Sequence, residues 1–355
     1  MDSNLFPTEY SNLCPSTQVE EVDRVTELEQ KLLILRHQHL LETKKQGQSI
    51  AELQNTTLII GNMLFPSPTI ARSYLAGGEE LGIHGQIDKF FHASEQIAAQ
   101  SFGLTQARHR HAATASSAKG YWAGGETNYS ATKTANVEAL VFETEAKANV
   151  AASLSTPTGY FRGVQSATKG YFAGSIGPDS GKIEAITFSS EAIALLGVSL
   201  PSVIGGSTAV QSATKGYFGS GWNNTRNINT LVFSSETTAN LSAQLTLPRL
   251  EGGQFASGTT GYFVAGCEAV TFVGTQTIDR ILFATEACTL VANALASYPE
   301  ADMDGTGGMR KGYSWGGVTI GRRYIDGFDF ASETMAPIGS QLSRGGRYIT
   351  PATKL

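Results

Sequence analysis

Two histidines separated by a single arginine are the first side chains in this sequence that could support chemistry. His109 and His111 would face the same way on an extended strand, so a metal could use both as ligands. Two ligands do not make a metal site, however. The three cysteines, Cys14, Cys267 and Cys288, have neither metal-ligand spacing nor the arrangement of a disulfide framework. The sequence therefore predicts no bound metal, no cofactor and no catalytic residues.

Six glutamates recur at nearly constant spacing, and each directly follows a serine or threonine. They are Glu95, Glu145, Glu191, Glu236, Glu286 and Glu333. An acid that acts in catalysis is needed once, whereas a residue present in every repeat usually supports the repeat itself. We therefore interpret these glutamates as turn anchors beside their hydroxyl neighbours, not as general acids.

Residues that differ between the repeats are better candidates for ligand binding, because variable loops on a regular scaffold commonly form a recognition face. An aromatic ring offers an apolar face to a sugar, while amide and guanidinium groups bond to hydroxyl or acidic groups. The candidates are Tyr129, Trp222, Asn223, Asn224, Arg226, Arg322, Arg323 and Tyr324. The last three would suit an anionic glycan. The alternative is that Trp222 and Tyr324 merely pack between neighbouring repeats.

Two independent anchors show that six repeats position these residues. The first anchor is a Gly-Tyr pair, clearest in the identical segments Ser-Ala-Thr-Lys-Gly-Tyr-Phe at 166–172 and 212–218. Degenerate copies complete a series of six tyrosines: Tyr74, Tyr121, Tyr171, Tyr217, Tyr262 and Tyr313. The second anchor is the series of six glutamates. Both series give a repeat of about 47 residues.

Each repeat contains four predicted strands, named A to D in chain order. Strand A is a run of small residues such as 163–168, and the following Lys-Gly pair is expected to form a tight turn in which glycine supplies a positive φ. Strand B contains the tyrosine, strand C alternates as in 183–188, and strand D is looser. Six repeats of four strands predict an all-β, six-bladed β-propeller, with the small strand A lining the axis.

The two ends of the repeat region are incomplete in complementary ways. The first repeat has no strand A, because only eight positions separate Pro66 from Tyr74. Residues 347–355 align with a strand A and have no strand B after them. We predict that residues at about 345–354 pair with those at about 72–78, so that the C-terminal strand closes the ring and hides two strand edges.

The repeats also resemble a known family. The pattern Tyr-x-Ala-Gly-Gly after a small-residue strand is similar to a kelch repeat, and the resemblance covers residues 67–355. Strand D departs from it, since the usual kelch tryptophan is missing. The motifs Lys-Gly-Tyr-Phe-x-Gly and Phe-Ser-Ser-Glu-Thr resemble more closely the divergent kelch-like repeats of bacteriophage tail-fibre and structural proteins, notably those of cyanophages. This resemblance implies a virion fibre that contacts a host surface.

The segment before the repeats has a different pattern. Residues 1–16 are expected to be irregular, residues 17–55 to form a helical arm, 56–71 a linker and 72–355 the propeller. Four apolar residues at a 3–4 stagger suit a coiled-coil seam between chains: Val25, Leu28, Leu32 and Leu35. The spacing does not distinguish two strands from three, and a homotrimer is implied only by the resemblance to phage fibres. The alternative is one amphipathic helix packed on the propeller.

Composition limits the class of partner. The 355 residues carry a net charge of −5 and only 16% charged residues, so no general basic surface for nucleic acid is expected. No apolar run is long enough to cross a membrane, and no secretion signal is visible. We expect a non-enzymatic virion adhesin. Its expected partners are further copies of the same chain, other virion proteins and a glycan or protein of the host surface. The alternatives are a cellular kelch-type protein-interaction module and, third, an enzyme that uses the central pocket.

Overall fold

The computed structural model describes residues 71–177, 180–202, 204–268, 271–292, 301–318 and 322–354. The predicted arm, with Val25, Leu28, Leu32 and Leu35, lies outside the described residues. The described residues form 24 strands in six four-stranded antiparallel sheets, which are the blades of a β-propeller. They include no helix that could span a membrane. The sequence prediction of an all-β propeller with six blades is therefore confirmed.

The strand bounds follow the repeat. Blade 1 contains β1 (Arg72–Ala76), β2 (Gln86–Phe91) and β3 (Gln96–Gly103), together with β24 (Thr350–Lys354) from the far end of the chain. Blade 2 contains β4 (Ala112–Ala115), β5 (Lys119–Ala123), β6 (Val137–Val141) and β7 (Lys147–Asn149). Blade 3 contains β8 (Arg162–Gln165), β9 (Lys169–Ala173), β10 (Lys182–Thr187) and β11 (Ala192–Ser199).

The other three blades repeat this order. Blade 4 contains β12 (Thr208–Gln211), β13 (Lys215–Gly219), β14 (Asn227–Val232) and β15 (Thr237–Gln244). Blade 5 contains β16 (Gly253–Ala256), β17 (Thr260–Val264), β18 (Ile278–Leu282) and β19 (Cys288–Ala292). Blade 6 contains β20 (Met303–Gly307), β21 (Lys311–Gly316), β22 (Tyr324–Asp329) and β23 (Thr334–Gln341).

The ring closes through the last strand, as the incomplete end repeats predict. Strand β24 pairs antiparallel with β1 in a register that runs from Arg72 opposite Lys354 to Ala76 opposite Thr350. It thereby supplies the strand A that the first repeat lacks. Every strand A also contacts the strands A of both neighbouring blades, including β24 with β4 and β20. These strands therefore surround the axis, where small side chains are needed.

The Lys-Gly pair does not form the turn that the sequence predicts. In blade 3 the turn is Ser166 to Thr168, and the Ser166 hydroxyl accepts a hydrogen bond from the Lys169 backbone N–H at 3.0 Å. Gly170 lies inside β9, and its φ is not positive. A Cβ atom there would lie 2.4 Å from the Thr114 side chain in the strand A of the preceding blade. Close packing between blades, rather than the turn, therefore requires this glycine.

The same type of contact recurs between each blade and the next, and we call it the inter-blade clasp. Lys119 Nζ and the Tyr121 hydroxyl of blade 2 both donate to Glu191 Oε1 of blade 3, at 2.8 and 3.1 Å. The Tyr121 ring also stacks on Phe188 with centroids 5.6 Å apart. The six tyrosine–glutamate pairs are Tyr74–Glu145, Tyr121–Glu191, Tyr171–Glu236, Tyr217–Glu286, Tyr262–Glu333 and Tyr313–Glu95.

The repeated glutamates therefore have a different role from the one expected. Each adopts a positive φ between 51° and 56° in its turn, but its carboxylate bonds to the preceding blade rather than being anchored by its own serine or threonine. Burial and the nearby carboxylate raise the pKa of Tyr171 and of Tyr217 to about 12, so both hydroxyls remain donors at neutral pH.

The clasp tolerates substitution of its cation. Blade 5 has Thr260 in place of the lysine, and Arg280 from its strand C donates to Glu333 instead, at 2.7 Å. In blade 1 the corresponding donor to Glu145 is Lys89 of strand C. The position of the stacking phenylalanine is occupied in blade 1 by His92, which meets Tyr313 edge-on. The geometry of the inter-blade clasp is thus kept although its residues vary.

The clasps lie at the end of the disc that carries the A–B and C–D turns, which we call the turn face. The opposite end, the loop face, carries the B–C loops and the links from strand D to the next strand A. There a polar residue of strand C binds the link that precedes its blade. Glu184 accepts the Ser155 N–H at 2.9 Å, and Asp279 accepts the Thr246 hydroxyl at 2.7 Å. Each blade is therefore fixed to its neighbour at both ends.

Removal of residues 345–355 is expected to abolish cooperative folding, because β1 would lose a pairing partner and β4 and β20 would lose their contacts with β24. Thermal unfolding followed by far-ultraviolet circular dichroism measures this. A peptide of residues 345–355 added in trans should restore the transition, and deletion of Leu355 alone is the control. An unchanged melting temperature in the long truncation would contradict the role of β24.

The clasp predicts coupling between its partners. Tyr121→Phe and Glu191→Gln should each lower the free energy of unfolding by about 1 kcal/mol, and the double variant should lose less than the sum. Urea denaturation of the four proteins gives the coupling energy. Tyr324→Phe, at an exposed tyrosine outside the clasps, should have no measurable effect. Strict additivity of the two substitutions would show that the hydroxyl and the carboxylate act independently.

Candidate functional site

Six residues with left-handed backbone conformation surround the axis at the loop face, one from each blade just before its strand A. We call them the axial ring: Arg110, Tyr160, Gly206, Glu251, Asp302 and Tyr348, with φ between 54° and 69°. Backbone hydrogen bonds of 2.7 to 3.1 Å connect four of the six neighbouring pairs, for example from Tyr160 N–H to the Arg110 carbonyl and from Gly206 N–H to that of Tyr160. Side chains from distant parts of the chain are thereby brought together at one place.

Polar contacts link the ring residues to a second set around them. Arg110 donates to Glu126 at 2.7 Å and to the Tyr348 hydroxyl at 3.0 Å, and that hydroxyl donates to Glu251 at 3.3 Å. The Arg110 guanidinium also lies over the rings of Tyr160 and Tyr348, at 4.3 and 4.7 Å from their centroids. One cation thus organises two aromatic rings and one carboxylate.

The network continues through Arg347 and His109, which lie next to Tyr348 and Arg110 in the chain. Arg347 donates to Asp302 at 3.0 Å and to Glu79 at 2.8 Å. Glu79 Oε2 lies 2.8 Å from His109 Nδ1, and His109 Nε2 lies 3.4 Å from Glu126 Oε2. These contacts join both arginines of the site into one arrangement with its carboxylates, so the positive and negative side chains compensate each other.

Two carboxyl groups of the ring are forced together. Burial raises the pKa of Glu251 well above its ordinary value, and the hydrogen bond with Asp302 and that residue's charge raise it further. Asp302 is 2% exposed, and its Oδ1 has no hydrogen-bond partner among the described residues. Both effects favour the protonated form of Glu251 over its carboxylate.

The histidine pair of the sequence does not form a metal site. Arg110 between the two histidines has a φ of 54°, so the backbone is not an extended strand there. His109 faces Glu79 and Glu126, whereas His111 is fully buried and lies against Gly77 and Gly125. Burial holds the pKa of His111 well below its usual range. Among the described residues, no group of three or more histidine, cysteine, aspartate or glutamate side chains could hold a metal ion.

Trp222 is the sequence-predicted candidate that lies beside the axial ring. A Cβ atom on Gly206 would lie 2.9 Å from Trp222 Nε1 and 3.4 Å from Glu251 Cγ, so the indole and the carboxyl group border the same small space. Trp222 is 39% exposed and meets Phe272 of the next blade edge-on, with centroids 5.8 Å apart. We call these two exposed rings the aromatic ledge. The tryptophan thus contacts a neighbouring blade and still offers surface to a ligand.

The other residues of the same loop have different surroundings. Asn223 accepts a hydrogen bond from the Thr225 hydroxyl at 3.2 Å, and Asn224 has a φ of 52°. Arg226 donates to Gln244 of the outer strand β15 at 3.0 Å. Since Trp222 lies next to the axis, the structure does not bring Arg226 and Trp222 together.

The remaining candidates are spread over the loop face. Tyr129 is 67% exposed in the B–C loop of blade 2. In blade 6, Arg322 is buried and engaged, Arg323 lies 3.9 Å from Glu80, and Tyr324 is half exposed at the start of β22. These three therefore do not form one continuous exposed cluster for an anionic glycan.

The axial ring itself was not identified from the sequence. Its members recur at the repeat spacing, but their residue types differ in nearly every blade, so no repeated letter marks them. The available signal is the fixed position just before strand A, where the repeat register aligns an arginine, two tyrosines, a glycine and two acids. Phe272 was missed because it lies in a loop of variable length.

No protein-family model matches the chain, and no curated protein is similar to it in sequence. The site is therefore interpreted from its own geometry.

Protonation of Glu251 predicts a pH-dependent effect of Glu251→Gln. The folded protein retains a proton that the unfolded chain loses above its ordinary pKa of 4.5, so this residue's contribution to stability decreases as the pH rises above that value. Glutamine keeps a donor and cannot ionise. The melting temperature of the variant relative to the wild type should therefore increase between pH 4.5 and 8. A difference that is constant over this range would contradict the assignment.

Proposed function

We propose that this chain is a non-enzymatic binding protein whose loop face attaches to carbohydrate on a cell surface. The observation that carries the proposal is the aromatic ledge of Trp222 and Phe272 beside the polar axial ring. Sugar rings pack their C–H faces on aromatic side chains, while their hydroxyl groups bond to polar groups at the edge. The regular blades keep both features in a fixed relation, which favours binding without loss of loop entropy.

The biological setting that we propose is a bacteriophage virion, in which the chain is a tail, neck or baseplate fibre. The support is the resemblance of the Lys-Gly-Tyr-Phe and Phe-Ser-Ser-Glu-Thr motifs to phage kelch-like repeats, together with the apolar seam of the N-terminal segment. In this proposal Val25, Leu28, Leu32 and Leu35 hold three copies together and attach them to other virion proteins. Strand β1 begins at the turn face, and in this proposal the loop face meets the host.

A protein partner is the second candidate, and the exposed apolar surface of the ledge favours it. Val273 follows Phe272 and is 63% exposed, so three apolar side chains are grouped on the loop face. Such a patch with a polar rim also suits a protein interface. Binding to host cells after enzymatic removal of surface glycans would distinguish this candidate from the first.

Trp222→Ala is expected to weaken adsorption to host cells about tenfold or more, because the platform for the ligand is lost. The double variant with Arg226→Ala should be no weaker than Trp222→Ala by itself, since Arg226 bonds to the outer strand. Met309→Ala, at an exposed residue on the turn face, is the matched control. Undiminished adsorption of the tryptophan variant would remove the ledge from the binding site.

Deletion of residues 1–55 is expected to leave a folded monomer, because the propeller closes on itself and needs no partner to bury its core. Light scattering measures the mass, and circular dichroism confirms the fold. A truncated protein that remained trimeric would place the subunit interface on the propeller and contradict the role of the apolar seam.

A further inference from the structure

We infer that the aromatic ledge and the axial ring form one pocket, and that this pocket takes an uncharged sugar residue that stacks on Trp222. The inference rests on the proposed function and specifies the chemical class of the ligand. It follows from three observations: the glycine at one ring position, the hydrogen-bonding groups left without partners, and the compensation of charge around the axis.

Gly206 shows that Trp222 is built into the ring. The other five ring positions have nearly the same φ, between 54° and 62°, and all carry side chains. The backbone conformation therefore does not by itself require glycine at position 206. What excludes a side chain there is the indole, which lies 2.9 Å from the position that a Cβ atom would take. The missing side chain lets Trp222 approach the axis beside Glu251.

Two side chains of this part of the site have hydrogen-bonding groups without partners. Neither the Trp222 indole N–H nor the Tyr160 hydroxyl has a hydrogen-bond partner among the described residues, although both side chains adjoin the ring. Burial raises the pKa of Tyr160 although the nearby Arg110 charge opposes this, so the hydroxyl keeps its proton. Tyr160 and Gly206 are neighbours in the ring through a 2.9 Å backbone hydrogen bond. Donors without a protein partner can bond to the hydroxyl oxygens of a sugar.

The charges at the ring favour an uncharged ligand. Arg110 is engaged with Glu126, and Arg347 with Glu79 and Asp302. A further buried cation, Arg162, lies close enough to Glu251 and Asp304 to influence their ionisation. A carboxylate or ammonium group on the ligand would therefore enter a partly buried site in which the protein charges already have partners, and it would be desolvated without compensation.

Tryptophan fluorescence tests this inference on the full-length chain. The protein has three tryptophans, of which Trp122 and Trp315 are buried, so acrylamide reports mainly on Trp222. The probes are the methyl glycosides of glucose, galactose and N-acetylglucosamine, with methyl glucuronide and methyl glucosaminide as charged analogues. At least one neutral glycoside should protect Trp222 from quenching, and its charged analogues should bind about tenfold more weakly.

Tyr160→Phe distinguishes binding in the pocket from binding to the aromatic ledge alone. It removes one hydroxyl and keeps the ring against Arg110, so affinity for the neutral glycoside should fall about tenfold with an unchanged melting temperature. Gly206→Ala should abolish the protection of Trp222, because the indole is displaced. Met309→Ala is expected to bind normally.

The outcomes separate this inference from the proposed function. Equal binding of a charged analogue, or full affinity in Tyr160→Phe, would overturn the neutral pocket while adsorption through Trp222 could still hold. Lack of protection by every glycoside, with adsorption still dependent on Trp222, would overturn the inference in favour of a protein partner. Adsorption independent of Trp222 would instead contradict the proposed function itself.

Discussion

The inter-blade clasp is the contact on which the other features of this molecule depend. A single four-stranded blade cannot bury both of its faces, so its stability comes from the surfaces it shares with its neighbours. The clasp places a tyrosine ring across each of these surfaces and ties its hydroxyl to the next blade. Because each joint is partly exposed, it contributes modestly, but six joints in a closed ring reinforce one another. The loops on the other face are thereby free to vary.

The sequence reveals the fold because the fold depends on residues that repeat. Tyr171 and Glu236 recur at the same interval, since every joint needs both. The role of Gly170 could not be read in the same way. Its neighbour is Thr114, 56 positions away in another blade, and no local pattern records that approach. Local turn chemistry therefore suggested a plausible but wrong reason for a glycine that blade packing requires.

The candidate site was predicted only in part for a related physical reason. Trp222 was identified because it lies in a variable loop together with amide and guanidinium side chains, a combination that suits a sugar. Glu251 and Asp302 were not, because neither residue is unusual until the ring closure buries them side by side and the pKa of Glu251 rises. A repeat pattern indicates positions that are alike, whereas this site consists of the positions at which the blades differ.

The antiparallel pairing of β1 with β24 also determines how the molecule responds to mechanical force. Strand β1 lies between β2 and β24, with five residue pairs on each side. Tension applied to the chain ahead of Arg72 and along the strand would stretch the hydrogen bonds on both sides in shear, so that they share the load and do not break one at a time. Resistance to forced unfolding then depends on the rate of that collective rupture. Strand β24, which completes the ring, would thus also help to hold β1 in place when the chain is under tension.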